Sequence, residues 1–245
     1  MRIGIIQSRG MGDIVIALPI ALQLREQGHE IVWPICEQFI PSVQRHVPWI
    51  EWVPLKADPQ GQFFYDRPMQ LLKYTTDEQL NLMQFLSSRP QDSDPDLFPI
   101  LKFDQYKYAK AGFAYSTKQR LAECITRDPA VEDHLKRLVV KSDQYIVTHL
   151  AGSDKRLDLD FSDAESQGYQ VINIEELPGY SIFDWIPILE GAESLYLIDS
   201  CFANMVDQLN IGRDKWFIRR SKMDLTPVLL SDWQYFPVSE LVKAV

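Results

Sequence analysis

The chain lacks most of the features that mark membrane proteins and disulfide-stabilised proteins. It has three cysteines, Cys36, Cys124 and Cys201, and no C-x-x-C pair, so neither a zinc site nor a disulfide framework is indicated. No apolar run reaches the roughly 18 residues of a membrane-spanning helix. The N-terminus has the pattern of a strand rather than that of a signal peptide. These absences predict a cytoplasmic, reducing location.

Basic residues are also in the minority. The 245 residues include 34 acidic and 25 basic side chains, giving a formal net charge of −9, which argues against a nucleic-acid partner. Hydrophobic residues make up 46% and charged residues 24%, which are ordinary values for a globular protein. The length suits one large domain or two small ones.

The few glycines do not form the G-x-G-x-x-G dinucleotide fingerprint, but two of them lie in the most informative stretch. Residues 3–6 form a β-branched apolar run that predicts a buried strand. A turn with Gly10 and Gly12 follows, and from Asp13 onward apolar residues recur at helical spacing. Such a strand–turn–helix aims backbone N–H groups and the positive end of a helix dipole at a ligand.

Asp13 has two interpretations on spacing alone. Asp is among the preferred N-cap residues, so the commoner explanation is a simple helix cap. The alternative is a functional carboxylate at the mouth of the helix.

Strands and helices then alternate in two successive series. The predicted strands span 3–6, 30–34 and 50–55 in the first, and 145–150, 169–174, 194–198 and 215–218 in the second. Residues 74–86 fit a helix or an extended connector. This alternation predicts an α/β fold with domains 1–138 and 139–245, the last segment (231–245) packing back on the first domain.

The second series carries two polar turns at predicted strand ends. Residues 151–156 end in Lys155 and Arg156, which suit a diphosphate. Asp199 and Ser200 precede a helix, whose N-terminus can take the same anion. The plainer interpretations are surface cations and an ordinary cap.

Two further patterns favour structural explanations. Three D-x-D strings occur at 92/94, 94/96 and 158/160, but carboxylates cluster freely on acidic surfaces, so no metal site is predicted. The aromatic, Lys-bearing segment 103–113 could line a cleft, although packing under a helix is the commoner role of such residues.

Residues 8–15 read Ser-Arg-Gly-Met-Gly-Asp-Ile-Val and precede Leu18-Pro19, and residues 197–204 read Leu-Ile-Asp-Ser-Cys-Phe-Ala-Asn. These two segments resemble segments of the ADP-heptose:lipopolysaccharide heptosyltransferases. The first is similar to the family's opening loop, and the second to its hydrophobic-Asp-(Ser/Thr)-Gly-x-x-His signature. Cys201 stands where that signature has Gly, and Asn204 where it has His.

The resemblance implies a GT-B fold, in which two Rossmann-like domains face each other across a cleft. It implies inverting, metal-independent glycosyl transfer from a nucleotide-sugar to a glycan or lipid-linked glycan, with no separate cofactor; such an acceptor would bring peripheral membrane contact. Asp13 would be the catalytic base. The donor-binding residues would be Gly10, Gly12, Lys155, Arg156, Asp199, Ser200 and Asn204.

Two other functions stay open at this point. A non-catalytic nucleotide- or sugar-binding protein of the same fold would fit the departures at Cys201 and Asn204. Another nucleotide-sugar enzyme, such as an epimerase, would share the two-domain architecture, because fold alone does not determine function.

Overall fold

A computed structural model describes residues 1–56, 65–84, 94–97, 100–152, 156–219 and 226–236. The chain divides into two compact units, Met1–Thr126 and Arg127–Val245. The predicted domain boundary at 138/139 falls at the end of a helix that belongs to the second unit, and the assignment of functional domains on either side of it stays a prediction.

The first unit contains a four-stranded parallel sheet and five α-helices among the described residues. Its strands are β1 (Arg2–Ile6), β2 (Glu30–Cys36), β3 (Glu51–Leu55) and β4 (Glu78–Asn81), and its helices are α1 (Met11–Glu26), α2 (Ile40–Gln44), α3 (Asp66–Leu72), α4 (Phe103–Ala111) and α5 (Leu121–Cys124). Two 3₁₀ helices span Glu37–Phe39 and Tyr115–Arg120.

The sheet order of the first unit is β3-β2-β1-β4. The chain moves outward from β1 to β3 and then returns to the other side of β1. Ligands of open α/β sheets bind outside the carboxyl ends of the strands at such a reversal, the topological switch point. In this unit the switch point lies between β1 and β4.

Strand β1 and helix α1 lie in the core of the first unit. Four of the five β1 residues are buried, as expected for a parallel strand covered on both faces. Ten of the sixteen α1 residues are buried, so this helix packs inside the unit rather than on its surface. Gly4 lets α3 approach the sheet, because a Cβ there would lie 2.7 Å from Leu72 Cδ2.

Among its described residues, the second unit has a five-stranded parallel sheet. Its strands are β5 (Tyr145–His149), β6 (Gln170–Asn173), β7 (Ser194–Ile198), β8 (Asp214–Ile218) and β9 (Gln234–Tyr235), and its helices are α6 (Pro129–Val139), α7 (Ser162–Ser166), α8 (Ile186–Gly191) and α9 (Cys201–Leu209). A 3₁₀ helix spans Ile182–Trp185. The order β6-β5-β7-β8-β9 puts the switch point between β5 and β7.

The prediction of an α/β fold with parallel sheets is confirmed, and two details of it are corrected. The region 74–86 contributes strand β4, which pairs with β1 over residues 78–81, rather than a helix or a connector. Strand β9 was not expected from the sequence. The segment 231–236 supplies this strand, and residues 237–245 lie outside the described part of the chain.

Within the described ranges, no helix is both long and apolar enough to cross a membrane.

Candidate functional site

The loop after β1 positions Asp13 through a glycine. Gly10 precedes α1 with φ 81°, a conformation that glycine adopts without strain. A Cβ at Gly10 would lie 2.6 Å from Asp13 Oδ2, so the absence of a side chain lets the carboxylate sit against the loop. Gly12 is the second residue of α1.

The interpretation of Asp13 as a helix cap is wrong. The helix begins at Met11 with Gly10 as its N-cap, so Asp13 is the third helical residue. Its carboxylate is instead part of an ion pair: Lys107 Nζ lies 3.0 Å from Asp13 Oδ1, and the Lys107 side chain is only 2% exposed against 34% for Asp13.

Lys107 joins three segments at the switch point of the first unit. Besides Asp13 at the start of α1, its ammonium donates to Gln7 Oε1 at 2.6 Å and to the Leu82 carbonyl at 3.2 Å. Gln7 follows β1 and Leu82 follows β4. A buried ammonium requires such acceptors, so the contacts fix Lys107 and, through it, one oxygen of Asp13.

The sequence did not single out Lys107 as a partner of Asp13. It lies in the aromatic segment 103–113, and its ammonium is 5.8 Å from the centre of the Phe103 ring. Spacing could not reveal the pair, because 94 positions separate the two residues. The packing interpretation holds for Tyr106 and Tyr108, which are buried.

The switch point of the second unit carries a neutral pair. His149 ends β5, and its Nδ1 lies 3.1 Å from Ser200 Oγ. The imidazole ring also packs on Phe202, with ring centres 4.7 Å apart. Burial lowers the pKa of His149 to about 4, so the ring is uncharged at neutral pH.

Ser200 is the N-cap residue of α9, but its side chain makes no capping hydrogen bond. Asn204 stabilises the first turn of α9, because both its backbone N–H and its Nδ2 donate to the Ser200 carbonyl, at 3.1 Å and 2.9 Å. Asn204 Oδ1 is buried and has no hydrogen-bond partner among the described residues.

The other residues of the second unit that are predicted to bind the donor follow β5 and β7 in the sequence. Asp199 follows β7, and its backbone N–H donates to the Ile218 carbonyl at 3.3 Å. Arg156 is exposed and forms an isolated antiparallel bridge with Ala151, which folds the turn after β5 back on itself. Lys155 lies outside the described residues. The binding roles of all these residues stay predictions.

Two of the D-x-D carboxylates, those of Asp94 and Asp160, contact protein groups. Lys110 Nζ lies 3.2 Å from Asp94 Oδ2, and Asp160 Oδ1 accepts the Ser162 N–H at 2.9 Å. Both contacts hold the pKa of the carboxyl below its usual range. Asp92 is not described. In the part of the chain that the structure describes, no group of three or more potential metal-ligating side chains comes together.

A groove of about 1220 Å³ in the second unit lies away from this switch point. Tyr196, Phe161, Asp214 and Phe236 are among its lining residues. Ser194 and Asp214, which also line it, are the first residues of β7 and β8. The groove therefore reaches the amino ends of these strands, whereas ligands of such sheets sit at the carboxyl ends.

Comparison with solved structures identifies similar folds. E. coli heptosyltransferase WaaC with ADP-2-deoxy-2-fluoro heptose has 15% identity and a TM-score of 0.55, covering 98% of this chain and 95% of that one. E. coli ADP-heptose LPS heptosyltransferase II has 13% identity and a TM-score of 0.58, with 96% and 90% covered. A glycosyl transferase of family 9 from Veillonella parvula DSM 2008 has 10% identity and a TM-score of 0.56, with 99% and 90% covered.

No family model matches the sequence, and no curated protein matches it. At these identities the similarity concerns the fold, and it extends over nearly the whole of each aligned chain. The chain therefore has the α/β fold, with parallel sheets, of the heptosyltransferase-like GT-B glycosyltransferases.

Proposed function

We propose that this chain is a glycosyltransferase that moves a sugar from a nucleotide-sugar to an acceptor hydroxyl with inversion. The observation that carries the proposal is the Asp13 carboxylate, one-third exposed at the carboxyl end of β1 and held by the buried Lys107 ammonium. In an enzyme of this fold, that is where a general base is useful: it must be fixed in position and still reach a substrate.

The reaction would be a single displacement. The acceptor oxygen attacks the anomeric carbon while its proton passes to Asp13. The bond between the anomeric carbon and the diphosphate oxygen breaks, and the nucleoside diphosphate leaves with the electron pair. Because one bond replaces another on the opposite face, the anomeric configuration inverts.

The leaving group would be stabilised in the second unit. The N-terminus of α9 carries partial positive charge, and Ser200 adds a hydroxyl there. Lys155 and Arg156 would contribute cations, and Asp199 and Asn204 would complete the surroundings of the donor. Fixed donors of this kind stabilise the charge that develops on a leaving diphosphate, so the proposed chemistry requires no metal.

The proposed partners follow from the reaction. The donor is a nucleotide-sugar; ADP-heptose is the first to test, because ADP-heptose or its 2-deoxy-2-fluoro analogue is named for two structural neighbours. The acceptor is a glycan or lipid-linked glycan. A lipid-linked acceptor would place the protein at the cytoplasmic surface of a membrane.

The test is a transfer assay with separate readouts for binding and chemistry. Native mass spectrometry identifies which nucleotide-sugar the purified protein retains, and that donor is then incubated with glycan acceptors. An acceptor that gains the mass of one sugar, with release of nucleoside diphosphate, supports the proposal. A retained donor that is never consumed indicates a non-catalytic binding protein, and a donor recovered with an isomerised sugar indicates an epimerase.

A further inference from the structure

The side chain of Ser200 does not do what a serine in its position usually does. An N-cap serine normally accepts a hydrogen bond from the backbone N–H of the second or third helical residue. Ser200 makes no such bond, and its Oγ lies 3.1 Å from His149 Nδ1 instead. The N–H groups in the first turn of α9 are therefore not occupied by this hydroxyl.

The position of His149 makes this arrangement specific. It is the last residue of β5, and Ser200 follows β7, so the pair spans the two strands that flank the switch point of the second unit. The ring rests on Phe202, the second residue of α9, which limits its rotation. His149 thus connects the end of one strand with the start of the helix that follows its neighbour.

The ring has one donor and one acceptor nitrogen when it is neutral, and the tautomer decides their roles. If Nδ1 carries the proton, it donates to Ser200 Oγ, and the serine hydroxyl proton is available to a ligand oxygen. In the other tautomer the hydroxyl proton is used by His149 and is lost to the ligand.

We propose that His149 is a positioning residue for the diphosphate of the donor. Its Nδ1–H donates to Ser200 Oγ and so keeps the serine from capping α9. The serine hydroxyl and the first N–H groups of the helix are then available to the anion. The inference rests on the proposed function in one respect, that the ligand at this helix is a diphosphate.

Inorganic pyrophosphate is the probe, because it tests the anion site without any assumption about the base or the sugar. Titration calorimetry at pH 7 compares the wild type with His149→Phe, which keeps a ring on Phe202 but has no N–H, and with His149→Asn, which keeps an N–H near the position of Nδ1. Ser200→Ala removes the hydroxyl itself.

We expect about tenfold weaker pyrophosphate binding for His149→Phe and for Ser200→Ala, the effect of losing one hydrogen bond to a charged group. His149→Asn should stay within about threefold of the wild type. The double variant His149→Phe/Ser200→Ala should bind pyrophosphate within about twofold of either single variant, because both residues act through one hydroxyl. If the two residues acted independently, their losses of binding free energy would add.

Three results would overturn the inference: wild-type affinity in His149→Phe, equal losses in the Asn and Phe variants, or no pyrophosphate binding by the wild type. The transfer assay fails or succeeds separately. A wild type that binds pyrophosphate through His149 but transfers no sugar contradicts the proposed function alone. A wild type that transfers sugar, with His149→Phe binding pyrophosphate normally, contradicts the inference alone.

Discussion

The two units place polar groups at the same topological position, but they use opposite electrostatics. At the first switch point a buried ammonium, Lys107, fixes the carboxylate of Asp13. At the second, a partly buried neutral imidazole, His149, lies within hydrogen-bond distance of the Ser200 hydroxyl. The first arrangement keeps a charged group in place, and the second adds no charge where an anion is proposed to bind. The difference matches the division of labour in the proposed reaction, with a proton acceptor in one unit and an anion site in the other.

The largest expected effect is that of removing the charge of Asp13 in the first unit. Asp13→Asn keeps an oxygen that can accept from Lys107 but cannot take a proton at neutral pH. Turnover should fall by ~10²-fold or more, while the free energy of unfolding falls by about 1–3 kcal/mol because the ion pair is lost. Steady-state transfer rates and urea unfolding on one preparation measure both.

A matched variant separates catalysis from stability. Asp104 and Lys118 form another Lys–Asp pair in the same unit, 3.4 Å apart and fully buried, and Tyr115 donates to the same carboxylate. Asp104→Asn should lower the free energy of unfolding by about 3 kcal/mol and leave the transfer rate per folded molecule near that of the wild type. A comparable loss of turnover in both variants would assign the effect of Asp13 to stability.

His149, in the second unit, should make the stability of the protein depend on pH. Burial lowers the pKa of His149 to about 4 from an unfolded value near 6.5, so the unfolded state binds the proton more readily. The contribution of this pKa shift to the free energy of unfolding is therefore fully present above pH 6.5 and is lost as the pH falls towards 4. Between pH 7.5 and pH 5 the loss should be about 2 kcal/mol. Urea unfolding of the wild type and of His149→Phe at both values isolates this contribution. Equal pH dependence in the two proteins would show that the surroundings of His149 do not disfavour its protonated form.

A smaller effect is expected when the cation of the first unit is removed. Lys107→Met keeps the length of the side chain but releases Asp13 Oδ1, Gln7 and the Leu82 carbonyl. A misplaced base should lower kcat about tenfold with little change in KM for the donor. A change confined to KM would mean that Lys107 serves binding rather than the position of Asp13.

The smallest effect belongs to the exposed cation after β5. Arg156→Ala should weaken nucleoside diphosphate binding by only about threefold, because a solvated ion contact contributes little. The difference should shrink further as salt is added. Calorimetric titrations with ADP at low and high ionic strength measure it, and a loss above about tenfold would show a desolvated contact.

The sequence predicted those parts of the molecule that depend on local patterns. Apolar runs such as 3–6 and 194–198 identified central parallel strands, because strands buried on both faces are continuously hydrophobic. Strand β4 was missed because its residues, Glu-Gln-Leu-Asn, include three polar side chains. Only its pairing with β1 defines it as a strand.

The site was predictable only in part for a similar reason. Motifs located Asp13 and Ser200, since both lie in strand–turn–helix segments that are contiguous in sequence. Their partners come from distant parts of the sequence: Lys107, 94 positions from Asp13, lies on α4, and His149, 51 positions from Ser200, ends the strand that pairs with β7. The sequence suggested a cap at Asp13 because Asp is a preferred N-cap residue. Only the backbone shows that α1 begins two residues earlier, with Gly10 as its cap.

The anomeric configuration of the transferred sugar tests the proposed displacement without intermediate steps. Proton NMR of the purified product, made with excess EDTA present, compares its anomeric coupling with that of the donor. A single displacement assisted by Asp13 predicts an inverted linkage, formed without a metal. A retained linkage, a reaction abolished by EDTA, or no transferred sugar with any donor that the protein binds would contradict the proposed mechanism.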